Sequence, residues 1–336
     1  MNVPTYDDVL AARDRIAGRA VRTPLILSPI LSERLGGRIY LKPEVLQRTG
    51  SFKFRGAWNA VQALGERAKN GVVASSSGNH AQGVAEAARL AGVKATIVMP
   101  NDAPKLKRKR TEASGARVVG YDRTTEDRDA ISAQIAEEEG AAFIHPFNNE
   151  FVIAGQGTVG LEIAEDLLRA GETPDIVVVP CSGGGLTAGT SLTVTTAFPD
   201  ARIYAAEPSG FDDYARSLAA GRIVSNASLS GSVCDALLSA QPGAIGWEIN
   251  SRRLAGAVAA TDEEVLLAVG YAFDALRLVV EPGGAAALAA LLAGQLDVRG
   301  KTCVVVLSGG NIADETLNRA VGQYRAASAS PASSAS

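Results

Sequence analysis

The chain has little with which to build a thiolate metal site or a disulfide framework. Its three cysteines, Cys181, Cys234 and Cys303, lie far apart and lack metal-ligand spacing. Cys181 and Cys303 sit in or beside apolar runs, where cysteine serves as a small hydrophobe. Aromatic residues make up 5% of the sequence, and the one basic cluster (Lys105, Lys107, Arg108, Lys109 and Arg110) contains none of them. With the other basic residues scattered and a formal net charge of −3, the composition argues against nucleic acid as a partner, since it calls for a basic surface with stacking rings. The cluster reads as a solvated helix face. No apolar run reaches the length of a membrane span. Acidic residues appear by position 7 with no apolar signal core, so the expectation is no membrane and a cytoplasmic location. There is no long linker and no internal repeat.

What is present is an ordinary globular mixture, 46% hydrophobic and 21% charged, and 336 residues suffice for two core-bearing units. Strand-like runs at 38–41, 72–75, 95–99, 117–120, 176–180, 203–206 and 303–307 alternate with helical periodicity. The helical segments are 53–68, 81–91, 103–113, 126–139, 158–169, 244–249, 263–276, 285–292 and 314–324. That rhythm predicts an α/β fold with largely parallel sheets covered on both faces. Residues 71–146 are compact enough to form a small lobe inserted in a larger one. Residues 326–336 are Ala, Ser and Pro only and predict a disordered tail.

Several strands end in Gly- or Ser-rich turns, and ligands in such sheets bind at the carboxyl ends of strands. The run 176–180 leads into Cys-Ser-Gly-Gly-Gly-Leu-Thr-Ala-Gly. Consecutive glycines let backbone amides converge, and a helix start adds its dipole, so this turn should hold a phosphate. Residues 183–188 also satisfy the dinucleotide fingerprint, with Glu207 at the spacing of a ribose-binding acid. An NAD(P)-dependent oxidoreductase is therefore a competing reading, though it leaves other features without a task. Lys53, beside Phe52 and at a helix start, suits imine chemistry, because desolvation and the helix dipole both disfavour the ammonium form. The turn Ser-Ser-Ser-Gly-Asn-His at 75–80 offers hydroxyls and free amides to a carboxylate, or simply caps a helix. Ser308, after the run 303–307, is placed to face a heterocyclic nitrogen or to cap the next helix.

Taken together, Ser-Phe-Lys-Phe-Arg-Gly-Ala at 51–57, Ser-Ser-Gly-Asn-His at 76–80, Ser-Gly-Gly-Gly-Leu at 182–186, Glu-Pro-Gly-Gly at 281–284 and Leu-Ser-Gly-Gly-Asn at 307–311 resemble the pyridoxal-phosphate enzymes of the threonine/serine dehydratase and serine racemase family. Ile-His-Pro-Phe at 144–147 and Ile-Ala-Gly-Gln-Gly-Thr at 153–158 fall in the same order. The resemblance implies a tryptophan synthase beta-like fold of two lobes: a large cofactor domain from 1–66 and 150–325, and a small mobile domain, 67–149. It implies that Lys53 carries the cofactor and serves as acid/base at the substrate α-carbon, with Phe52 near the ring and Asn79 bonded to its phenolic oxygen. The amides of Ser182, Gly183, Gly184, Gly185 and Leu186 would take the phosphate, and Ser308 the pyridine nitrogen. Ser76, Ser77, Asn79 and His80 would hold the substrate carboxylate, Ser77 on the ring face opposite Lys53. Some relatives have a fourth glycine where Ser182 stands, a change that leaves the backbone donors intact. Glu207, the Phe211 carbonyl and Asp213 match the ligand pattern of relatives with a divalent cation, Mg²⁺ or else Ca²⁺ or Mn²⁺. A homodimer is expected from the same resemblance.

The reaction implied first is dehydration of a β-hydroxy amino acid, threonine or serine. Lys53 removes the α-proton, the β-hydroxyl leaves, and the released enamine hydrolyses to a 2-oxo acid and ammonia. A 3-hydroxyaspartate dehydratase, whose β-carboxylate calls for a basic side chain the sequence does not locate, and a racemase using Ser77 remain open alternatives. So does a non-enzymatic phosphate-ligand module, which would form no imine. With few residues after Asn311, an appended regulatory domain is not expected.

Overall fold

The computed structural model describes residues 2–103, 105–122 and 124–329. Among the described residues ten strands form two sheets. They are β1 (Ile26–Leu27), β2 (Arg38–Pro43), β3 (Val72–Ser75), β4 (Ala95–Pro100), β5 (Arg117–Tyr121), β6 (Ala142–Phe143), β7 (Ile176–Pro180), β8 (Arg202–Pro208), β9 (Leu254–Ala260) and β10 (Thr302–Leu307). The larger sheet has the order β1-β2-β10-β7-β8-β9, and the smaller one β5-β4-β3-β6. Every pairing is parallel except that of β1 with β2. The two-lobed α/β expectation therefore holds. Every residue of β7 and β10 is buried, as valine-rich strands covered by helices on both faces must be.

The site is positioned by three helices that touch backbone to backbone. A methyl placed on Gly155, in the helix Glu150–Ala170, would sit 2.6 Å from the Cα of Gly56, in the helix Lys53–Leu64. One placed on Gly189, in the helix Gly185–Ala197, would sit 2.4 Å from the amide nitrogen of Gly157. Lys53 lies one turn before the first crossing and the glycine turn just before the second. Glycine is needed at both, because nothing larger lets helix axes approach so closely.

Beneath Lys53 the start of its helix is held by buried charges in balance. Arg55 binds Glu44 (Nε–Oε2, 2.8 Å) and Glu162 (Nη1–Oε1, 2.7 Å), while the Lys42 ammonium reaches Glu162 at 2.6 Å. Thr23 Oγ1 donates to Glu44 Oε1 at 2.5 Å. Two cations and two anions, each with hydrogen-bond partners, meet the condition under which buried ion pairs are tolerated.

The final helix runs Asp314–Ala329. Residues 326–329, expected to be disordered, continue it instead: alanine is the best helix former and extends the preceding turns. The remainder of that expected tail, 330–336, lies outside the described residues. Among the described residues no helix is long and apolar enough to cross a membrane.

Candidate active site

A cleft of about 180 Å³ opens where the two sheets present the carboxyl ends of β3, β7 and β10. Lys53, Phe52, the turn 75–80, the glycine turn 182–186 and Ser308 all line it. Residues separated by as much as 256 positions thus meet in one place. The link between two of them is a single antiparallel bridge, Ser51 to Gly309, with the Phe52 amide donating to the Ser308 carbonyl at 3.1 Å.

Lys53 is the first residue of its helix, and its Nζ donates to the carbonyl oxygen of Pro146 at 2.9 Å. Burial lowers its pKa from the ordinary value to about 8, partly offset by the negative charge of Glu281. The Nζ stands 5.1 Å from the centroid of the Phe52 ring. A buried amine with a depressed pKa in a cleft is equipped for nucleophilic attack on a carbonyl.

The glycine turn shows the arrangement expected of an anion cradle. The Cys181 amide closes the ladder on Ala206 O at 2.8 Å, and the next backbone-bonded amide is that of Ala188, on Gly184 O at 2.8 Å. Among the described residues the amides between them have no carbonyl partner. Gly184 is left-handed, with φ +87°, and caps the helix Gly185–Ala197. Its carbonyl accepts from Asn250 Nδ2 at 3.2 Å, and the Tyr214 hydroxyl lies 3.5 Å from the Gly183 carbonyl. With those carbonyls held behind the turn, the amides face the cleft, which suits a phosphate.

The turn after β3 is built likewise. The Gly78 amide donates back to Ser76 Oγ at 3.0 Å, and the next backbone pair is the Gln82 amide to Gly78 O at 3.3 Å. Ser77 is half-buried on the cleft wall. The His80 ring is taken up elsewhere: its Nε2 meets the Ile144 carbonyl at 2.9 Å. Since a carbonyl only accepts, Nε2 carries the proton, and burial with the nearby Lys53 charge lowers the pKa of His80 to about 3. Asn79 donates to Glu281 Oε1 at 2.5 Å and accepts from Asn311 Nδ2 at 2.8 Å, which fixes its amide plane toward the cleft.

Glu207, Phe211 and Asp213 lie together but outside the cleft. Glu207 is fully buried, and its two oxygens accept the amides of Tyr214 (2.9 Å) and Ala215 (3.0 Å). Those contacts turn it into the start of the helix Asp213–Ala220 and away from the glycine turn. The ribose role required by the dinucleotide reading is therefore not available to it. Asp213 accepts from Asn226 Nδ2 at 2.7 Å, but its buried Oδ2 has no partner among the described residues. Burial raises the pKa of both carboxyls, that of Asp213 to about 6. Two carboxylates crowded in a buried place, one with an orphaned oxygen, fit a hard divalent cation.

A model of the family described as pyridoxal-phosphate dependent enzyme matches residues 16–309. The chain belongs to that family. It is 40% identical to the L-threonine ammonia-lyase of Thermotoga maritima over 320 residues, covering 94% of this chain and 78% of the relative. It is also 40% identical to the L-threo-3-hydroxyaspartate ammonia-lyase of Saccharomyces cerevisiae over 313 residues, 93% and 94% of the two chains. The crystal structure of T.th. threonine deaminase superposes with a TM-score of 0.88 at 42% identity, covering 92% of this chain and 99% of that one. Maize serine racemase superposes with a TM-score of 0.88 at 35% identity, covering 97% and 99%. Family membership displaces the oxidoreductase and binding-module readings. The pyridoxal-phosphate fit is good: a buried lysine of lowered pKa, an amide cradle and a serine at the end of β10 share one cleft.

Sequence reasoning did not assign roles to five side chains at or behind the site. Glu281 and Asn311 stood inside quoted motifs, yet only the fold shows them flanking Asn79. Tyr214 and Asn250 carry no motif. Arg128, a basic side chain the sequence did not single out, lines the cleft from the smaller lobe.

Proposed function

We propose that this protein is a pyridoxal-phosphate-dependent ammonia-lyase that dehydrates a β-hydroxy amino acid, L-threonine or L-serine, to a 2-oxo acid and ammonia. The observation that carries the reading is the meeting of Lys53, the free amides of 182–186 and Ser308 in one cleft. When bound, the cofactor supplies the electron sink that makes the α-proton acidic. Lys53 holds the cofactor and moves the proton at the α-carbon. The amides of Ser182, Gly183, Gly184, Gly185 and Leu186 grip the phosphate, and Phe52 covers the ring. Asn79, held by Glu281 and Asn311, meets the phenolic oxygen, and Ser308 the pyridine nitrogen. A neutral hydroxyl there, in place of a carboxylate, would leave the pyridine nitrogen unprotonated and so would favour departure of the β-hydroxyl. Ser76, Ser77, Asn79 and the amide end of His80 receive the substrate carboxylate. Ser77, opposite Lys53, is the acid that racemisation as a side reaction would need.

Arg128 favours a second substrate reading. A guanidinium on the cleft wall is a partner for a β-carboxylate, and hence for 3-hydroxyaspartate. We further propose that Glu207, the Phe211 carbonyl and Asp213 take Mg²⁺ or a similar cation. The enzyme is proposed to be cytoplasmic and homodimeric, with residues 67–149 moving as a small domain over 1–66 and 150–325.

The test has two parts. The purified protein should absorb near the visible edge, borohydride should remove that band, and peptide mapping should find the adduct on Lys53. A 2-oxo acid assay over β-hydroxy amino acids of both configurations, with Mg²⁺ or chelator, then ranks the substrates. An adduct on another lysine, or no keto acid from any substrate, would overturn the proposal.

A further inference from the structure

The cation pocket and the phosphate turn are joined through one side chain. Tyr214 follows Asp213 directly, and its amide is gripped by Glu207 Oε1 at 2.9 Å. Its fully buried ring passes Cys181 and Ala205 to reach the back of the glycine turn. There the hydroxyl lies 3.5 Å from the Gly183 carbonyl and accepts from Asn250 Nδ2 at 3.1 Å, while the same Nδ2 donates to the Gly184 carbonyl at 3.2 Å. The fit leaves no slack: a methyl on Gly184 would stand 1.7 Å from the Tyr214 oxygen and 2.9 Å from Asn250 Nδ2.

One end of Tyr214 is therefore set by the carboxylate pair and the other touches the peptide units whose amides face the cleft. Moving the start of the helix Asp213–Ala220 moves the hydroxyl against the Gly183 carbonyl, which the Gly243 amide also holds at 3.0 Å, and against the Asn250 amide that reaches the Gly184 carbonyl. A cation bridging Glu207 and Asp213 would engage the orphaned Asp213 Oδ2 and fix that helix start. Fixing it holds the amides convergent, which costs the phosphate less ordering on binding.

We propose that Tyr214 is a positioning residue, backed by Asn250, through which occupancy of the Glu207–Asp213 pocket sets the affinity of the glycine turn for a phosphate monoester. The inference rests on the reading above that the turn holds the cofactor phosphate. It adds the route by which a site outside the cleft acts on it. By linkage the effect is reciprocal: a ligand on the turn tightens cation binding by the same factor.

The experiment measures pyridoxal-phosphate affinity of the cofactor-stripped full chain by fluorescence titration, with Mg²⁺ and with chelator. Calorimetry with Mg²⁺ alone checks the pocket. The wild type should bind the cofactor about fivefold or more tighter with Mg²⁺, a coupling of the size typical between linked sites. Tyr214→Phe keeps the packing and loses the hydroxyl. It should still take up Mg²⁺ in calorimetry, yet its cofactor affinity should change less than about twofold between Mg²⁺ and chelator. Asn250→Ala, which frees the Gly184 carbonyl, should shrink the Mg²⁺ effect likewise and serves if the first variant fails to fold. A purely structural tyrosine would lower affinity in both conditions and leave their ratio intact, and that result overturns the proposal. So does a wild type that takes up no Mg²⁺, although cofactor binding at Lys53 would then still stand. A chain that binds no pyridoxal phosphate in either condition overturns the function reading and this inference together.

Discussion

The Lys53 amine and the Pro146 carbonyl stand 2.9 Å apart across the cleft, joining the larger sheet's helix to the strap that follows β6. The contact sets the amine against a carbonyl rather than a carboxylate, so the charge of Glu281 is what favours the cation. Its pKa of about 8 follows from burial, and Glu281 recovers only part of the loss.

That value sets how the stripped protein regains its cofactor. The neutral amine attacks, so reloading followed by absorbance should speed up about tenfold per pH unit below 8 and level off above it. A rise continuing past pH 10 would mean an ordinary, solvated lysine. Lys53→Ala should release no keto acid above background, since the loss of both anchor and base removes a proton transfer worth about 10²–10⁴-fold by itself.

Gly184→Ala should weaken cofactor binding without touching the amine. A side chain at φ +87° is strained by about 1–2 kcal/mol, and its methyl would overlap the Tyr214 hydroxyl. Equilibrium dialysis should show an affinity at least about tenfold poorer, because 1.4 kcal/mol is a factor of ten. Unchanged affinity would show that the turn does not seat the phosphate.

Arg128→Met separates the two substrate readings. If a β-carboxylate meets the guanidinium, kcat/KM for 3-hydroxyaspartate should fall by about 10- to 100-fold, the worth of a hydrogen bond to a charged group. Threonine and serine should change no more than about threefold. Equal losses for all three substrates would exclude a role in selectivity.

Acid should destabilise the fold through His80, whose pKa falls to about 3. The unfolded chain binds a proton near pH 6.5 and the native chain does not until about 3. Stability from the neutral ring is thus complete above 6.5 and drains away between 6.5 and 3. From pH 6.5 to 5 the loss is about 2 kcal/mol. Urea unfolding of His80→Gln should show a correspondingly flatter pH dependence over that interval. His145, lowered to about 4, contributes in the same direction.

Arg55→Met tests the buried charge cluster. It leaves Glu44 and Glu162 facing each other with Lys42 as the remaining cation, and removal of one buried partner typically costs about 3–5 kcal/mol. The urea midpoint should fall accordingly. A change under about 1 kcal/mol would show that water reaches the cluster.

The strands that carry the site were readable because they are monotonous. β7 and β10 each carry three consecutive valines and are buried throughout, so they announce themselves without periodicity. β9, Leu-Ala-Gly-Ala-Val-Ala-Ala, escaped notice because alanine favours helix and only pairing at the edge of the sheet makes it a strand. The helix Asp213–Ala220 hid inside what read as a ligand loop, and the two-residue strands β1 and β6 are too short to leave a pattern. At the site, motif residues could be named because consecutive glycines after a strand, and a lysine at a helix start beside an aromatic ring, each suit a narrow range of chemistry. Arg128, Tyr214 and Asn250 could not, since their meaning lies in what they approach across the fold. One arginine among the basic residues gives no hint of the wall it lines.

Gly56 against Gly155, and Gly157 against Gly189, make the spacing between amine and phosphate seat a matter of main chain alone. The chemical centre therefore has a ruler that side-chain replacement on the substrate walls cannot stretch. Selectivity is free to drift along those walls, from a methyl-bearing to an acidic substrate, while the bond-breaking apparatus keeps its dimensions.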